Sequence, residues 1–141
     1  MSTLDTLIRV NRWKLDERRR QLGELERLFE RLGSESVRLE QELTREQLVA
    51  AASPEAGYAY AGYARDLIER RTKLAASISE VEGQLIVARE ALAESFGEVK
   101  RYEIAAANRQ KRDRVAVERR QRIVQDEVAL QVYRRRNEAS R

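Results

Sequence analysis

The feature that most constrains this chain is a heptad pattern of apolar residues that runs, with one interruption, from residue 4 to residue 106. From Leu4, alternating steps of four and three reach an apolar residue at ten of fourteen positions up to Ala50. From Tyr60 the same steps reach an apolar or aromatic residue at twelve of fourteen positions up to Ala106. This spacing is typical of a coiled-coil seam rather than of a helix in a globular core. The polar seam positions, which could fix the pairing register, are Asn11, Arg18, Ser36, Glu46, Arg71 and Ser95.

The interruption surrounds Pro54, the one proline in the sequence. Ser53 is placed as an N-cap and Pro54 at the first helical position, where its missing N–H costs nothing. Glu55 then lies in the first turn, where a carboxylate favours the helix dipole. One helix should therefore end near Ala50 and another begin near Pro54. In rounded bounds, we expect helices at about 3–51 and 57–136 joined by a turn at about 52–56.

These segments predict an all-α fold: a long antiparallel two-helix coiled-coil hairpin forming a single domain over residues 1–141. A fold-back at the turn pairs residues 3–50 with about 57–105, so the second helix extends beyond the end of the first. We call residues 107–141 the overhang and expect it to be an unpaired helix up to about residue 136. On the continued heptad frame the apolar residues of the overhang make no clean stripe. Such a helix frays or awaits a partner.

Composition excludes several classes of function. The chain has no cysteine and no histidine, which removes disulfides, thiolate nucleophiles, Cys/His metal sites and histidine-based acid–base chemistry. The carboxylates stand at ordinary helix-surface positions beside Lys or Arg, with no apolar pocket to raise a catalytic pKa. No apolar run reaches the roughly 18 residues of a membrane span. We therefore expect a protein that is not an enzyme, with no cofactor and no metal site.

Positive charge is concentrated in the last third of the chain. Residues 1–96 hold 15 Lys/Arg against 17 Asp/Glu, a balance of −2, whereas residues 97–141 hold 13 against 7, a balance of +6. The C-terminal third is therefore where an acidic partner, nucleic acid or an anionic lipid surface would bind. Acidic residues interrupt the basic runs there and aromatic residues for base stacking are scarce, which makes nucleic acid the weaker alternative.

Several features together resemble the FliJ family of flagellar type III export proteins. The length, the two-helix design and the basic end are similar to that family. The local matches are residues 15–20 (LDERRR), the pair Tyr60 and Tyr63 followed by Leu67, and residues 119–127 (RRQRIVQDE). The resemblance covers essentially the whole chain.

The resemblance implies a cytoplasmic protein peripheral to the inner membrane at the flagellar basal body. FliJ-like proteins resemble the stalk of rotary ATPases, sit within the hexameric ring of the export ATPase, and contact the membrane export gate and substrate chaperones. The overhang residues expected to meet the ATPase ring are Arg109, Arg112, Arg119, Arg120, Arg122, Asp126 and Glu127. The gate surface would lie near the hairpin tip, at Tyr58, Tyr63, Leu67, Arg70 and Leu74. The family often carries an aromatic residue where Arg70 or Leu74 stands here.

Other interpretations stay open at this point. The chain could be an injectisome stalk homologue, a self-associating structural coiled coil, or a basic helical binder of nucleic acid. We expect it to be monomeric when free and to take no small-molecule substrate. Tyr60 and Tyr63 could simply pack along the seam, with Tyr58 the most exposed of the three. Trp13 lies outside the seam and could either cap the open end of the hairpin or bind a partner.

Overall fold

The computed structural model describes residues 2–140, and these residues form two helices and no strand. Helix α1 spans Thr3–Ala50 and helix α2 spans Pro54–Ala139. The all-α hairpin class is therefore confirmed. The described backbone has no cis peptide bond and no residue with positive φ.

The turn between the helices follows from its capping residues. At the end of α1, the Ala51 and Ala52 amides donate to the carbonyls of Gln47 and Val49 at 3.2 and 3.1 Å, so the last turn tightens. The Ser53 hydroxyl then accepts the Ala56 amide at 3.1 Å and caps α2. The predicted cap is confirmed.

Helix α1 begins with a reciprocal cap of the same chemistry. The Ser2 hydroxyl accepts the Asp5 amide at 3.2 Å, and the Asp5 carboxylate accepts the Ser2 amide at 3.4 Å. Two backbone donors that have no partner within the helix are satisfied in this way, with the acidic residue acting in the position usually taken by Glu or Gln. Both helices of the hairpin are therefore started by a serine.

The chain divides into two compact units. The first comprises residues 11–97, and the second comprises residues 1–10 together with 98–141. In the first unit, the buried apolar side chains lie on both helices at the predicted seam positions, which are Leu15, Leu43, Ala64, Leu67, Val81 and Leu85. Each fully buried Leu or Val contributes about 1.5–3 kcal/mol of transfer free energy. This stripe, two helices wide, is the core of the unit.

The buried polar seam residue is Asn11, which is 7% exposed. No buried side-chain nitrogen or oxygen among the described residues lacks a hydrogen-bond partner. Arg71, by contrast, reaches out of the seam and pairs with Glu40 of the facing helix at 3.3 Å. That pair is about half exposed, so it contributes little to stability.

The second unit joins the first turns of α1 to the end of the paired part of α2. Ile8 and Val99 are buried there, at 8% and 3% exposure. Ala106 is half-buried, and every described residue after it, 107–140, is exposed. The last covered position therefore coincides with the residue at which the heptad seam ends.

Candidate interaction surfaces at the tip and on the overhang

The tip, which we define as residues 47–64, carries almost no charge. Glu55 is its one charged residue, although charged residues make up 37% of the chain. Tyr58 is the most exposed of its large side chains at 88%, and Leu48 and Val49 are 72% and 53% exposed. Aromatic side chains that offer large area at little entropic cost are favoured anchors of protein interfaces. The tip thus presents an apolar surface to which a partner protein can bind.

Tyr63 lies at the border of the tip and is tied to the facing helix. Its hydroxyl donates a hydrogen bond to the Glu42 carboxylate. That bond, with the nearby charges of Glu42 and Glu46, raises the pKa of Tyr63 above 10.0, although Arg70 acts in the opposite direction. Tyr63 therefore packs within the hairpin and also exposes 38% of its surface.

The other sequence-predicted gate residues separate into exposed and covered positions. Arg70 is exposed, and Leu74 is half-buried. Leu67 requires a correction, because it is only 1% exposed and belongs to the core between the helices. A partner could not contact its side chain without opening the hairpin. The residue spacing that placed Leu67 in the resemblance is the same spacing that places it in the seam.

Three exposed apolar residues near the tip were missed by the sequence argument. These are Leu48, Val49 and Ile68, the last of them 46% exposed. None of them falls on the heptad frame, so the seam leaves them outside. The near-absence of charge between residues 47 and 64 was the signal that could have found the first two.

The overhang brings all its predicted contact residues to the surface. The five arginines and the Asp126–Glu127 pair are exposed on a continuous helix. Residues 107–140 hold ten Lys/Arg against five Asp/Glu, a net charge of +5. The charge is arranged in blocks: +5 over residues 109–122, −2 over 123–133 and +2 over 134–140. A partner for this surface must accordingly be acidic over most of its length.

Apolar side chains are interleaved with these charges and are exposed as well. Eight of them are between 46% and 63% exposed: Val115, Val117, Ile123, Val124, Val128, Leu130, Val132 and Tyr133. Single exposed apolar residues are ordinary, but eight within 19 residues of one uncovered helix are not. The overhang therefore carries buriable area as well as charge.

A groove between the helices of the 11–97 unit was not predicted from the sequence. Its volume is about 1500 Å³; Gly83, Ala88 and Ala91 line it on α2, and Leu25 and Leu28 line it on α1. Arginine and glutamate side chains alternate along its rim and give it no net sign of charge.

Trp13 is 64% exposed, which leaves most of its indole accessible to solvent or to a partner. Within residues 2–140, neither α1 nor α2 contains an apolar stretch that could span a lipid bilayer. The same residues hold no cluster of three or more carboxylates placed to bind a metal ion.

Comparison with known proteins identifies a family. The family model described as "Flagellar FliJ protein" matches residues 1–138. No curated protein and no solved structure matches the chain significantly.

Proposed function

Because the chain belongs to the FliJ family of flagellar export proteins, we propose that it acts as a stalk-like coiled coil that binds the export ATPase ring through the overhang. The family is a structural component of flagellar export and is not a family of enzymes. In this proposal the tip binds the export gate, and substrate chaperones are a third class of partner. The protein would work at the cytoplasmic face of the membrane, peripheral to it.

The observation that carries the ATPase part of the proposal is the exposed, basic, uncovered helix at residues 107–140. A single helix with its side chains is about 10–12 Å across, which suits the central opening of a ring-shaped protein. A net charge of +5 favours an acidic lining and accelerates encounter with it. The overhang therefore has the width and the charge that a stalk in an acidic ring requires.

The gate part of the proposal is carried by the tip. Tyr58 is the anchor, because it is almost fully exposed and lies in a segment with a single charge. Tyr63 and Arg70 extend this surface along α2, while Leu67 supports it from within. Leu74 lies half-buried at its far edge.

The ATPase assignment is tested by measuring binding of the full chain to the cognate hexameric export ATPase. Replacing Arg119, Arg120 and Arg122 with glutamine should weaken binding at least tenfold, and the wild-type affinity should fall as salt is raised. The matched control replaces Arg18, Arg19 and Arg20 with glutamine, which removes the same number of charges from the 11–97 unit. That control should change the affinity less than about twofold.

Two outcomes would contradict the assignment. The first is ATPase binding that survives removal of residues 107–141. The second is a chain that is retained on heparin and on nucleic acid but does not bind the ATPase, which would favour the nucleic-acid alternative. A stable dimer with both helices straight in solution would instead support a self-associating scaffold.

The gate assignment has its own test, with the cytoplasmic part of the export gate as ligand. Tyr58→Ser should weaken binding about tenfold or more, since an exposed aromatic anchor is lost. Tyr133→Ser is the matched control, because this tyrosine is 63% exposed but lies on the overhang. Equal losses in the two variants would argue against a gate site at the tip.

A further inference from the structure

An apolar face runs along residues 117–132 of the overhang once its residues are counted in elevens instead of sevens. From Ala106, repeated steps of four, three and four pass Gln110 and Asp113 and then reach Val117, Val124, Val128 and Val132. Gln121 stands between the first two valines, so no charge interrupts the face from 117 to 132. We call Val117, Gln121, Val124, Val128 and Val132 the valine face.

The change of frame has a physical cause. A seven-residue pattern gives 3.5 residues per turn and stays in line only when two helices supercoil around each other. A helix without a mate keeps about 3.6 residues per turn, which is close to the 3.67 of an eleven-residue pattern. At 100° per residue the valine face then occupies an arc of about 80°. The heptad frame scatters the same residues, because it assumes a supercoil that the overhang lacks.

The valine face continues an interface that already exists in the same unit. Val99 is 3% exposed and Ala106 half-buried, and both fall within the arc of Val117 and Val124 when the helix is projected at 100° per residue. Up to Ala106 this arc is covered within the hairpin. Beyond it, Val117, Val124 and Val128 are 47%, 57% and 54% exposed. One line of side chains is thus buried in its first part and left open in its second.

We propose that the valine face is a docking site for a helix of a partner protein, an amphipathic helix with an apolar stripe and acidic flanks. The covered part of the arc shows that this face of α2 receives a helix. The charge of the occupant follows from the blocks around it, +5 over 109–122 and +2 over 134–140. A helix carrying Glu or Asp toward both of its ends would meet both basic blocks, while its middle faces Asp126 and Glu127.

A second copy of the chain fits this face less well. Two overhangs side by side would each bring a net charge of +5 into one interface. Like charges that face each other across an interface disfavour the pairing. The inference rests on the proposed function in one respect only: both assign the overhang to a partner that is acidic.

The test compares two triple variants that are matched in number and exposure. The first changes Val117, Val124 and Val128 to alanine. The control changes Val115, Ile123 and Leu130 to alanine; these are 46%, 55% and 55% exposed, but the 100° projection places them well away from the valine face. Alanine has a higher helix propensity than valine or isoleucine, so neither variant should unfold the overhang, and circular dichroism checks this.

The probe is a labelled synthetic helix with leucines at the four, three, four spacing and glutamates on both flanks. Fluorescence anisotropy should show it bound by the wild-type chain, and the valine-face variant should bind at least tenfold more weakly because buried methyl groups are lost. The control variant should lose less than about threefold. A second probe with lysines in place of the glutamates should bind at least tenfold more weakly than the first.

Four outcomes would overturn the inference. Equal losses in the two triple variants would show that no single face is used. Equal binding of the lysine and glutamate probes would show that the partner helix need not be acidic. Sedimentation showing a dimer of the free chain that only the valine-face variant abolishes would make a second copy the occupant.

If the export ATPase binds both triple variants as it binds wild type, the inference fails while the proposed function stands. If the ATPase does not bind the wild-type chain, the proposed function fails whatever the probe does.

Discussion

The paired residues of the 11–97 unit and the overhang are built from similar residues, yet only the first has a core. Leu67 and Leu85 are 1% and 4% exposed, whereas Leu130 is 55% exposed, although all three lie on the same helix α2. Helix propensity and apolar content do not separate the two regions. What separates them is the presence of a facing helix, since among the described residues those of α2 beyond 106 are all exposed.

The difference teaches where function can reside in a two-helix protein. In a paired seam the apolar side chains are buried between the two helices and stabilise the hairpin. The outer faces of the helices then carry mainly charged, solvated side chains. An uncovered helix retains apolar area that another protein can bury. The tip shares this property by a different route, because its residues carry little charge and its exposed apolar side chains fall outside the seam.

The largest expected contrast between the two regions is in hydrogen exchange. Amides of α2 between residues 64 and 85 should exchange on the order of a thousandfold more slowly than amides between 111 and 136, because only the former need the hairpin to open. Exchange measured by mass spectrometry on the free chain tests this. Equal protection in both segments would mean that the overhang is covered in solution, which would break the comparison.

The next effect is that of removing a leucine from each region. Leu67→Ala should lower the free energy of unfolding by about 2–4 kcal/mol, because it leaves a cavity in the seam. Leu130→Ala should change it by less than about 0.5 kcal/mol, since that side chain is 55% exposed. Urea unfolding followed by circular dichroism gives both values. A large loss from Leu130→Ala would contradict the uncovered state of the overhang.

A smaller effect is expected at the turn. Ser53→Ala removes the hydroxyl that accepts the Ala56 amide and should cost about 1 kcal/mol of unfolding free energy. Ser79→Ala, on the exposed surface within α2, should be neutral or slightly stabilising, because alanine is the better helix former. Thermal melts of both variants decide the matter, and a neutral Ser53→Ala would show that Pro54 alone starts the helix.

The smallest effect concerns Tyr63 and Glu42. The pKa of Tyr63 is raised by its hydrogen bond to the Glu42 carboxylate, so the neutral phenol is the form that the fold favours. The interaction that raises the pKa stabilises the folded chain below pH 10, and this stabilisation is lost as the pH rises through the pKa of Tyr63 in the folded state. Unfolding midpoints of wild type should therefore fall toward those of Tyr63→Phe above pH 10. A difference that is constant from pH 8 to pH 11 would contradict this linkage.

Much of the fold could be predicted from the residues. The seam positions from Ile8 to Leu43 and from Ala64 to Val99 follow from period alone, and the Ser53–Pro54 cap follows from local chemistry. The exposed faces were harder to predict, because a side chain is exposed only where no residue from elsewhere in the fold packs against it. Leu67 shows the limit: its type and spacing suited both a contact residue and a core residue, and only its burial separates the two.

The candidate interaction surfaces could be located only with the tertiary structure, because exposure depends on which residues pack against each other. The heptad frame predicted correctly where the seam stops, but it hid the valine face, because it applies the geometry of a paired helix to an unpaired one. The organisation of the chain as a single domain over 1–141 stays a prediction.

By itself, the sequence determined the two helices, their caps, the frame of the seam and the basic character of the last third, because each depends on neighbours along the chain. Only the tertiary structure decided which apolar side chains are covered and which are left open, since cover depends on the other helix. The basic overhang illustrates both: its charge can be read from residues 107–140, whereas its exposed valines become a surface only because none of the described residues lies over them.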